Sequence, residues 1–360
     1  MTDYKFEGWC GHGPESVEGK MVWEEYTPKT FTDDDVDIKI SHCGICGSDL
    51  HTLRSGWYPT PYPCVVGHEI IGKAVRVGKN VKHVKEGDRV GVGAQATSCL
   101  KADCQQCADG FENHCGNGMA PTYGAFFPGD KKEKTYGGYA NYNRTPGHFV
   151  FKIPDAISSE HAAPIMCGGV TSYSPLRTYK AKGKDVGIVG LGGLGHFGVL
   201  FAKALGAKSV TVISRSHTKE EDAKALGADN FIATGDDGWD QGKNAGSLDL
   251  IVSTVSSDKM PLAGYLNLLR FRGTFCQVGA PEDPLPSFQA FALIQKAIHI
   301  TGSAIGSPSE IVEMLNLVAE KNIKPWTQLI PLKEANQAVI DFEAGKPRYR
   351  FVLKNENYTD

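Results

Sequence analysis

Four cysteines, Cys99, Cys104, Cys107 and Cys115, fall within one short, glycine-containing stretch of the chain. Four thiolates gathered by a single loop make a tetrahedral zinc site, with metal–sulfur bonds of roughly 2.3 Å. Every coordination position is then filled, so such a site holds a loop in place rather than performing chemistry. A second, looser set of ligand types surrounds it in sequence: Cys46, the adjacent pair His68-Glu69, and Cys167. These residues can form a separate site with room for a substrate.

A chain of 360 residues is long enough for two domains of ordinary size. Its net charge of −3 gives no reason to expect a nucleic-acid or anionic-membrane partner. The segment Met1 to Glu7 carries charges and no apolar core, and is not expected to be a secretory signal. No apolar run approaches the ~18–20 residues that a membrane helix needs. A disulfide reading of the ten cysteines suits short secreted chains; here reduced, mostly metal-bound thiols and a cytoplasmic protein are expected. Cys10, Cys43, Cys64 and Cys276 remain after both sites are filled and read as buried or indifferent thiols.

Two rhythms follow one another along the chain. Up to about residue 155 it is rich in Gly, Pro, Thr and Val, with short apolar runs. Val36–Ile40 alternates like a half-buried strand, and Ile70–Gly78 and Arg89–Gly93 look like others. Many short strands with turn residues between them suggest a β-rich, barrel-like domain. Near residue 165 strands begin to alternate with helices. Val186–Gly190 reads as a strand, His196–Leu205 as a helix closed by Gly206, and Ser209–Ser214 as the next strand. Thr218-Lys219-Glu220-Glu221 opens a further helix with a capping-box pattern. Asp249–Thr254 and Thr274–Gly279 are further strands, so this half is expected to be a parallel sheet with helices on both faces. Helices are expected from about Ser309 to Asn322 and from Lys333 to Glu343, then a last strand, Tyr349–Leu353. The tail is expected to return to the first domain, making the second an insertion.

Gly190-Leu191-Gly192-Gly193-Leu194-Gly195 contains G-x-G-x-x-G between a strand and a helix, the context that gives the pattern meaning. The glycines permit a tight turn and let the backbone approach a pyrophosphate at the helix N-terminus. The end of the next strand reports the coenzyme. An NAD site normally carries Asp or Glu there, for the ribose 2′-hydroxyl. This chain has Ser214-Arg215-Ser216-His217-Thr218-Lys219, with no carboxylate before Glu220. Arg215 and Lys219 would attract a 2′-phosphate, and Ser214 and Ser216 can donate hydrogen bonds to it. NADP is the expected coenzyme; the plainer alternative is that both basic residues are solvated surface charges.

The looser ligand set begins in Cys43-Gly44-Ile45-Cys46-Gly47-Ser48-Asp49-Leu50-His51. A C-x-x-C pair alone suggests redox chemistry, but the βαβ setting of a thioredoxin-like motif is missing. Gly67-His68-Glu69 follows a Pro-rich turn, and Cys167 lies in Met166-Cys167-Gly168-Gly169 at the change of rhythm. A lone His or Cys at such places is more often structural. Together they supply two thiolates, an imidazole and an open position.

With Cys43–His51, Gly67-His68-Glu69, the cysteine loop, Cys167-Gly168-Gly169, Gly190–Gly195 and Arg348-Tyr349-Arg350-Phe351-Val352 in this order, the chain resembles the zinc-dependent medium-chain alcohol dehydrogenases, most closely the cinnamyl alcohol dehydrogenase branch. Alcohol dehydrogenase is itself the standard example of a Cys₂His catalytic zinc. The resemblance implies an α/β protein: a β-rich GroES-like catalytic domain over 1–164 and 304–360, and a doubly wound Rossmann domain with a parallel sheet over 165–303. It implies two zinc ions per chain. Cys46, His68 and Cys167 would hold the catalytic one, with Glu69 as a nearby or alternate ligand; Cys99, Cys104, Cys107 and Cys115 would hold the structural one. Asp49 would orient His68, Ser48 would accept the alcohol proton, and His51 would pass it toward solvent through the cofactor ribose. Thr171, Gly190, Gly192, Gly193, Leu194, Gly195, Ser214, Arg215, Ser216, Lys219, Thr254, Gly279, Ser303 and Ala304 would contact NADP. A homodimer is expected from the family. One departure is visible: four residues, not the usual two, separate Cys99 from Cys104.

The leading expectation is an NADP-dependent zinc alcohol dehydrogenase acting on aromatic or medium aliphatic alcohols and aldehydes. An NAD-linked polyol dehydrogenase is the second reading, disfavoured by the missing carboxylate. A non-catalytic dinucleotide-binding scaffold that keeps only structural zinc is the third. Trp57 and Tyr58 would either line a pocket or join the core.

Overall fold

The ten-residue strand Asp35–Gly44 organises the first of two units in the computed structural model, which describes residues 4–358. That unit comprises Met1–Cys167 and Ser307–Asp360. The strand pairs antiparallel with Ile70–Val77, Tyr142–Pro146 and Arg350–Lys354. Ile70–Val77 continues through Arg89–Val92 to Val150–Lys152, and Arg350–Lys354 pairs in parallel with Thr327–Pro331. Register shifts between Asp37 and Ile38 and between Ile40 and His42 bend the long strand, which lets it serve three partners. Ile38, Ile40, Leu50, Val65, Val90 and Phe351 meet in the resulting core.

The alternation that suggested a half-buried strand misjudges Asp37, which is fully buried. Arg144 donates to both its oxygens, at 2.6 and 2.8 Å, and the Tyr4 hydroxyl donates at 2.6 Å. A charge can occupy the buried face when it is paired and hydrogen-bonded, and periodicity carries no trace of a partner more than a hundred residues away.

The second unit, Gly168–Gly306, is built on six parallel strands. They are β1 (Asp185–Val189), β2 (Ser209–Ser214), β3 (Asn230–Ala233), β4 (Leu248–Ser253), β5 (Leu269–Gln277) and β6 (His299–Gly302), in the spatial order β3-β2-β1-β4-β5-β6. This is the strand order of the Rossmann fold. Val189, Ile213, Ile251 and Phe275 are buried beneath Leu262, Leu266 and Leu268. The helix Gly195–Ala204 follows β1, and Gly206, at φ 80°, ends it. The expected capping box at Thr218 does not form. A short 3₁₀ turn, His217–Lys219, leads into a six-residue helix, Glu220–Ala225, that no side chain caps. Thr218 meets the Ser216 hydroxyl at 3.1 Å, and the His217 ring engages Glu220 instead.

Candidate active site

The cysteine loop is fixed by its own turns. Leu100 adopts φ 49°, and the Cys104 N–H donates to the Lys101 carbonyl at 3.1 Å, so the four-residue spacer folds back on itself. Cys104 then begins the short helix Gln105–Ala108, which carries Cys107. The four sulfurs lie within 4.8 Å of one another. Cys99 is 3.7 Å from Cys107, and Cys104 is 3.9 Å from Cys115. Four bonds of roughly 2.3 Å at tetrahedral angles require sulfur–sulfur edges of about 3.8 Å, whereas a disulfide requires about 2.05 Å. The spacing fits zinc. The Asn117 amide donates to the Cys99 sulfur at 3.3 Å. Backbone N–H groups, that of Cys107 first, pull the Cys104 thiol down to about 6, while burial pushes Cys107 up to about 12.

The second cluster is deeply buried. Ligand atoms of Cys46, His68, Glu69 and Cys167 also lie within 4.8 Å of one another. Cys46 sits where the strand Asp35–Gly44 gives way to the helix Gly47–Leu53, and Cys167 on a single π-helical turn, Ile165–Gly169. His68 Nε2 is buried with no hydrogen-bond partner, an atom left over unless something else binds it. Electrostatics point the same way. Burial opposes a charge on His68, but the Cys46 thiolate and the carboxylates of Asp49 and Glu69 raise it to about 9. Burial also pushes Glu69 up to about 8 against the pull of Arg350. Two sulfurs, that of Cys46 already favouring the thiolate through its hydrogen bond with Cys167, and an unpaired imidazole nitrogen fit a divalent zinc ion.

Glu69 stands in this cluster on a tether. Arg350, itself buried, donates through Nη2 to both carboxylate oxygens, 2.6 Å to Oε2, and to the Ile45 carbonyl at 2.9 Å. Gly44 makes room for it, since a Cβ there would lie 2.0 Å from Glu69 Oε2. Asp49 accepts from the Cys46 N–H at 2.9 Å, the Gly67 N–H at 3.1 Å and the Tyr139 hydroxyl at 2.9 Å. Asp49 is thus tied to the N–H of the residue before His68 and makes no hydrogen bond to the ring. Tyr123 stacks on the His68 ring, centroids 5.0 Å apart. Sequence reasoning passed over Tyr139 and Tyr123, and took Arg350 only as part of the motif Arg348–Val352, with no role at the metal set. A charged residue in the apolar run Phe351-Val352-Leu353 was the one available signal.

Ser48 and His51 lie on the helix Gly47–Leu53, and the Ser48 hydroxyl is 3.6 Å from the Cys46 sulfur. His51 stacks on Trp57, ring centroids 4.3 Å apart. Trp57 and Tyr58 are both exposed, the latter 81%, so neither belongs to the core.

In the second unit the remaining candidates gather at the carboxyl ends of the strands, where doubly wound sheets bind ligands. Gly190 has φ 85°, and a Cβ on Gly195 would lie 1.7 Å from the Gly190 carbonyl. A Cβ on Gly192 would meet nothing of the protein, leaving a bare cradle for a ligand. The Gly193 carbonyl lies 3.1 Å from His196 Nδ1, and the Leu194 carbonyl accepts from the Ser172 hydroxyl at 2.9 Å. Ser214, Arg215 and Ser216 follow β2, and Lys219 Nζ donates to the Leu191 carbonyl at 2.7 Å, bridging the basic segment to the glycine loop. The Thr254 hydroxyl is spent on the Val189 carbonyl at 2.8 Å. Gly279 packs against the Val255 carbonyl, and Ser303, next to Ala304, donates its N–H to Gln277 at 3.1 Å. Thr171 is buried on the helix Val170–Thr178. The cradle and the basic strand end suit a phosphorylated dinucleotide.

Comparison with known proteins agrees with this geometry. Residues 32–155 match the family described as alcohol dehydrogenase GroES-like domain, and residues 193–320 the family described as zinc-binding dehydrogenase. The chain is similar to cinnamyl alcohol dehydrogenase 2 of Rauvolfia serpentina, 42% identical over 96% of this chain and 94% of that protein. It is 43% identical to NADP-dependent alcohol dehydrogenase 6 of Saccharomyces cerevisiae, over 94% of this chain and 97% of the other. Among solved structures it is similar to the cinnamyl alcohol dehydrogenase of Helicobacter pylori complexed with NADP(H), with a TM-score of 0.89, 32% identity and 99% of both chains covered.

Proposed function

The chain belongs to the zinc-dependent medium-chain alcohol dehydrogenases, and from that premise we propose that it interconverts aromatic, cinnamyl-type, and medium aliphatic aldehydes and alcohols with NADP(H). The observation that carries this reading is the buried set Cys46, His68 and Cys167 with the His68 Nε2 atom unpartnered. When bound, zinc supplies a Lewis acid for the carbonyl or alcohol oxygen, and the nicotinamide coenzyme supplies the hydride carrier. Cys46 and Cys167 bring two thiolates, which offset the metal's charge and temper the site. Arg350 occupies the Glu69 carboxylate, so Cys46, His68 and Cys167 would hold the metal and leave a position for substrate, with Glu69 nearby as an alternate ligand. Asp49 pins the peptides on either side of the metal set. Ser48 takes the alcohol proton at Oγ, and His51, three residues on, hands it toward solvent.

Cys99, Cys104, Cys107 and Cys115 hold a second, structural zinc. The catalytic part spans 1–164 and 304–360, and the coenzyme part 165–303. The glycine loop, Thr171, Thr254, Gly279 and Ser303 of the latter, with Ala304 just beyond it, bind the dinucleotide, while Ser214, Arg215, Ser216 and Lys219 receive the 2′-phosphate. The NADP dependence named for the yeast relative supports this assignment. With NADPH the favoured direction is aldehyde reduction. No helix among the described residues is long and apolar enough to cross a membrane, and we place the protein in the cytoplasm as a homodimer.

Metal analysis and a substrate panel test the proposal together. Two zinc ions per chain are expected, with NADPH-linked reduction of cinnamyl-type aldehydes exceeding the NADH-linked rate. Cys104→Ser is expected to open the lobe to proteolysis, because structural zinc contributes directly to folding. Cys46→Ser is expected to leave a folded protein that binds NADPH and does not turn over. One zinc per chain and no turnover with any alcohol or aldehyde would favour the scaffold instead.

A further inference from the structure

We propose that His217 sets the coenzyme preference of this chain, by neutralising two carboxylates, Glu220 and Asp236, that border the 2′-phosphate subsite. The inference rests on the reading of Ser214, Arg215, Ser216 and Lys219 given above and adds a specificity residue to it.

His217 lies between Ser216 and Lys219 in the turn after β2. Its Nδ1 is 2.8 Å from Glu220 Oε2, and its Nε2 is 3.1 Å from Asp236 Oδ2. Both partners are carboxylates and only accept. Each ring nitrogen must therefore donate, and a ring that donates twice is an imidazolium. In keeping with this, hydrogen bonds to Glu220 and Asp236 raise His217 above the usual histidine value, and the hydrogen bond from His217 lowers Glu220.

The two carboxylates lie against the phosphate-reading segment by construction. The Thr234 N–H donates to the Ser214 carbonyl at 2.8 Å and the Gly235 N–H to the Arg215 carbonyl at 3.1 Å, so Asp236 follows a segment pinned to those two residues. Glu220 directly follows Lys219. Phe231 on β3 also packs against His217, ring centroids 5.9 Å apart, and Lys224 reaches Glu220 at 3.4 Å and Glu221 at 3.0 Å. Arg215 and Lys219 alone would face Glu220 and Asp236 with no net charge. His217 turns that balance positive. A carboxylate about 8–10 Å from a phosphate dianion in water, partly screened by salt, weakens its binding by roughly two- to fivefold. An uncancelled pair beside the subsite would erode much of the preference for NADP(H).

The test measures binding of 2′,5′-ADP and 5′-AMP to the full-length protein by titration calorimetry, which needs no turnover. Wild type is expected to bind 2′,5′-ADP more tightly than 5′-AMP. His217→Gln should weaken 2′,5′-ADP about two- to fivefold, leave 5′-AMP unchanged, and lose its effect at about 0.5 M salt. His217→Lys should keep the wild-type preference, and adding Glu220→Gln and Asp236→Asn to His217→Gln should restore it. Above pH 7 the 2′-phosphate is already doubly charged, its second pKa being about 6. There the wild-type preference should fall as pH rises and His217 loses its proton, while the His217→Lys preference should hold. Equal weakening of both nucleotides by His217→Gln would make His217 a structural residue and overturn the proposal. So would an unchanged 2′,5′-ADP affinity in that variant. Arg215→Ala separates the two levels. If it abolishes the preference while His217→Gln does nothing, the subsite stands and the role of His217 falls. If wild type does not distinguish the nucleotides and Arg215→Ala changes neither, the subsite reading falls and the proposal with it.

Discussion

Ser48 and His51 share one face of a short helix, being three residues apart. Their expected roles are nevertheless unequal. Ser48, 3.6 Å from the Cys46 sulfur, lies beside the metal set, whereas His51 lies a turn further out, against the exposed Trp57. General acid–base steps contribute about 10²–10⁴-fold. Ser48→Ala should lower kcat within that range with little change in NADPH affinity, and His51→Gln should cost less because solvent can replace it. Small, equal effects on kcat would argue against the relay. Arg350 is tested by stability rather than turnover. Removing one partner of a buried ion pair costs about 3–5 kcal/mol, so Arg350→Met should lower the urea midpoint correspondingly. An unchanged midpoint would mean that Glu69 takes up a proton at little cost. How legible each residue is in sequence depends on how much its own chemistry announces. Cysteine and histidine declare themselves as ligands by type, and seven of the eight side chains of the two clusters can be picked out that way, Glu69 being the exception. Arg350 and Tyr139 gain their meaning from Glu69 and Asp49, 281 and 90 residues away in sequence. No local pattern carries that information.

At the scale of elements, the glycine loop separates two uses of the same residue. Gly195→Ala would drive a Cβ into the Gly190 carbonyl at 1.7 Å, so the loop or the helix behind it must move. Gly192→Ala meets only open space. The first should lower thermal stability and coenzyme binding together; the second should leave the melting temperature unchanged and weaken the dinucleotide. Equal melting losses for both would remove the cradle. The strand Asp35–Gly44 makes a different prediction, through His42. Burial, aided by Lys354 on the partner strand, lowers His42 from 6.5 to about 4. The unfolded chain then takes up the proton first, so stability present above pH 6.5 is lost as pH falls toward 4. The loss amounts to about 2–3 kcal/mol for a shift of this size. His42→Gln should flatten the stability profile between pH 7 and 4.5; a profile unaltered by the substitution would place the acid sensitivity elsewhere. Strands and helices themselves were readable from periodicity and glycine punctuation. Their exceptions, Asp37 and the uncapped helix at Glu220, arise where a side chain from another element outcompetes the local signal.

For the whole molecule, the alternation of strand and helix after residue 165 specifies a doubly wound parallel sheet, because a parallel pair needs a crossover and helices form all of these crossovers but that from β3 to β4, which holds only the 3₁₀ turn Gly242–Asn244. What alternation does not convey is which strand ends the sheet and what becomes of its free edge. β6 is one of the two edges, and its residues His299, Ile300 and Gly302 are exposed. The same unit exposes Phe271 at 66%, Phe291 at 66% and Ile294 at 67%. An open strand flanked by exposed aromatic and branched side chains is a template for pairing that proteins rarely leave bare. A second copy of the chain pairing there would bury it, and a stable interface needs only about 800 Å² from each partner. Sedimentation equilibrium should therefore return twice the chain mass of 38.9 kDa. Phe291→Lys combined with Ile294→Lys should return the single-chain mass. Both side chains are already exposed within one chain, so their loss opens no cavity, and NADPH should still bind the monomer formed. A wild-type monomer at micromolar concentration would sink the dimer, and a double variant that stays dimeric would move its interface away from this face.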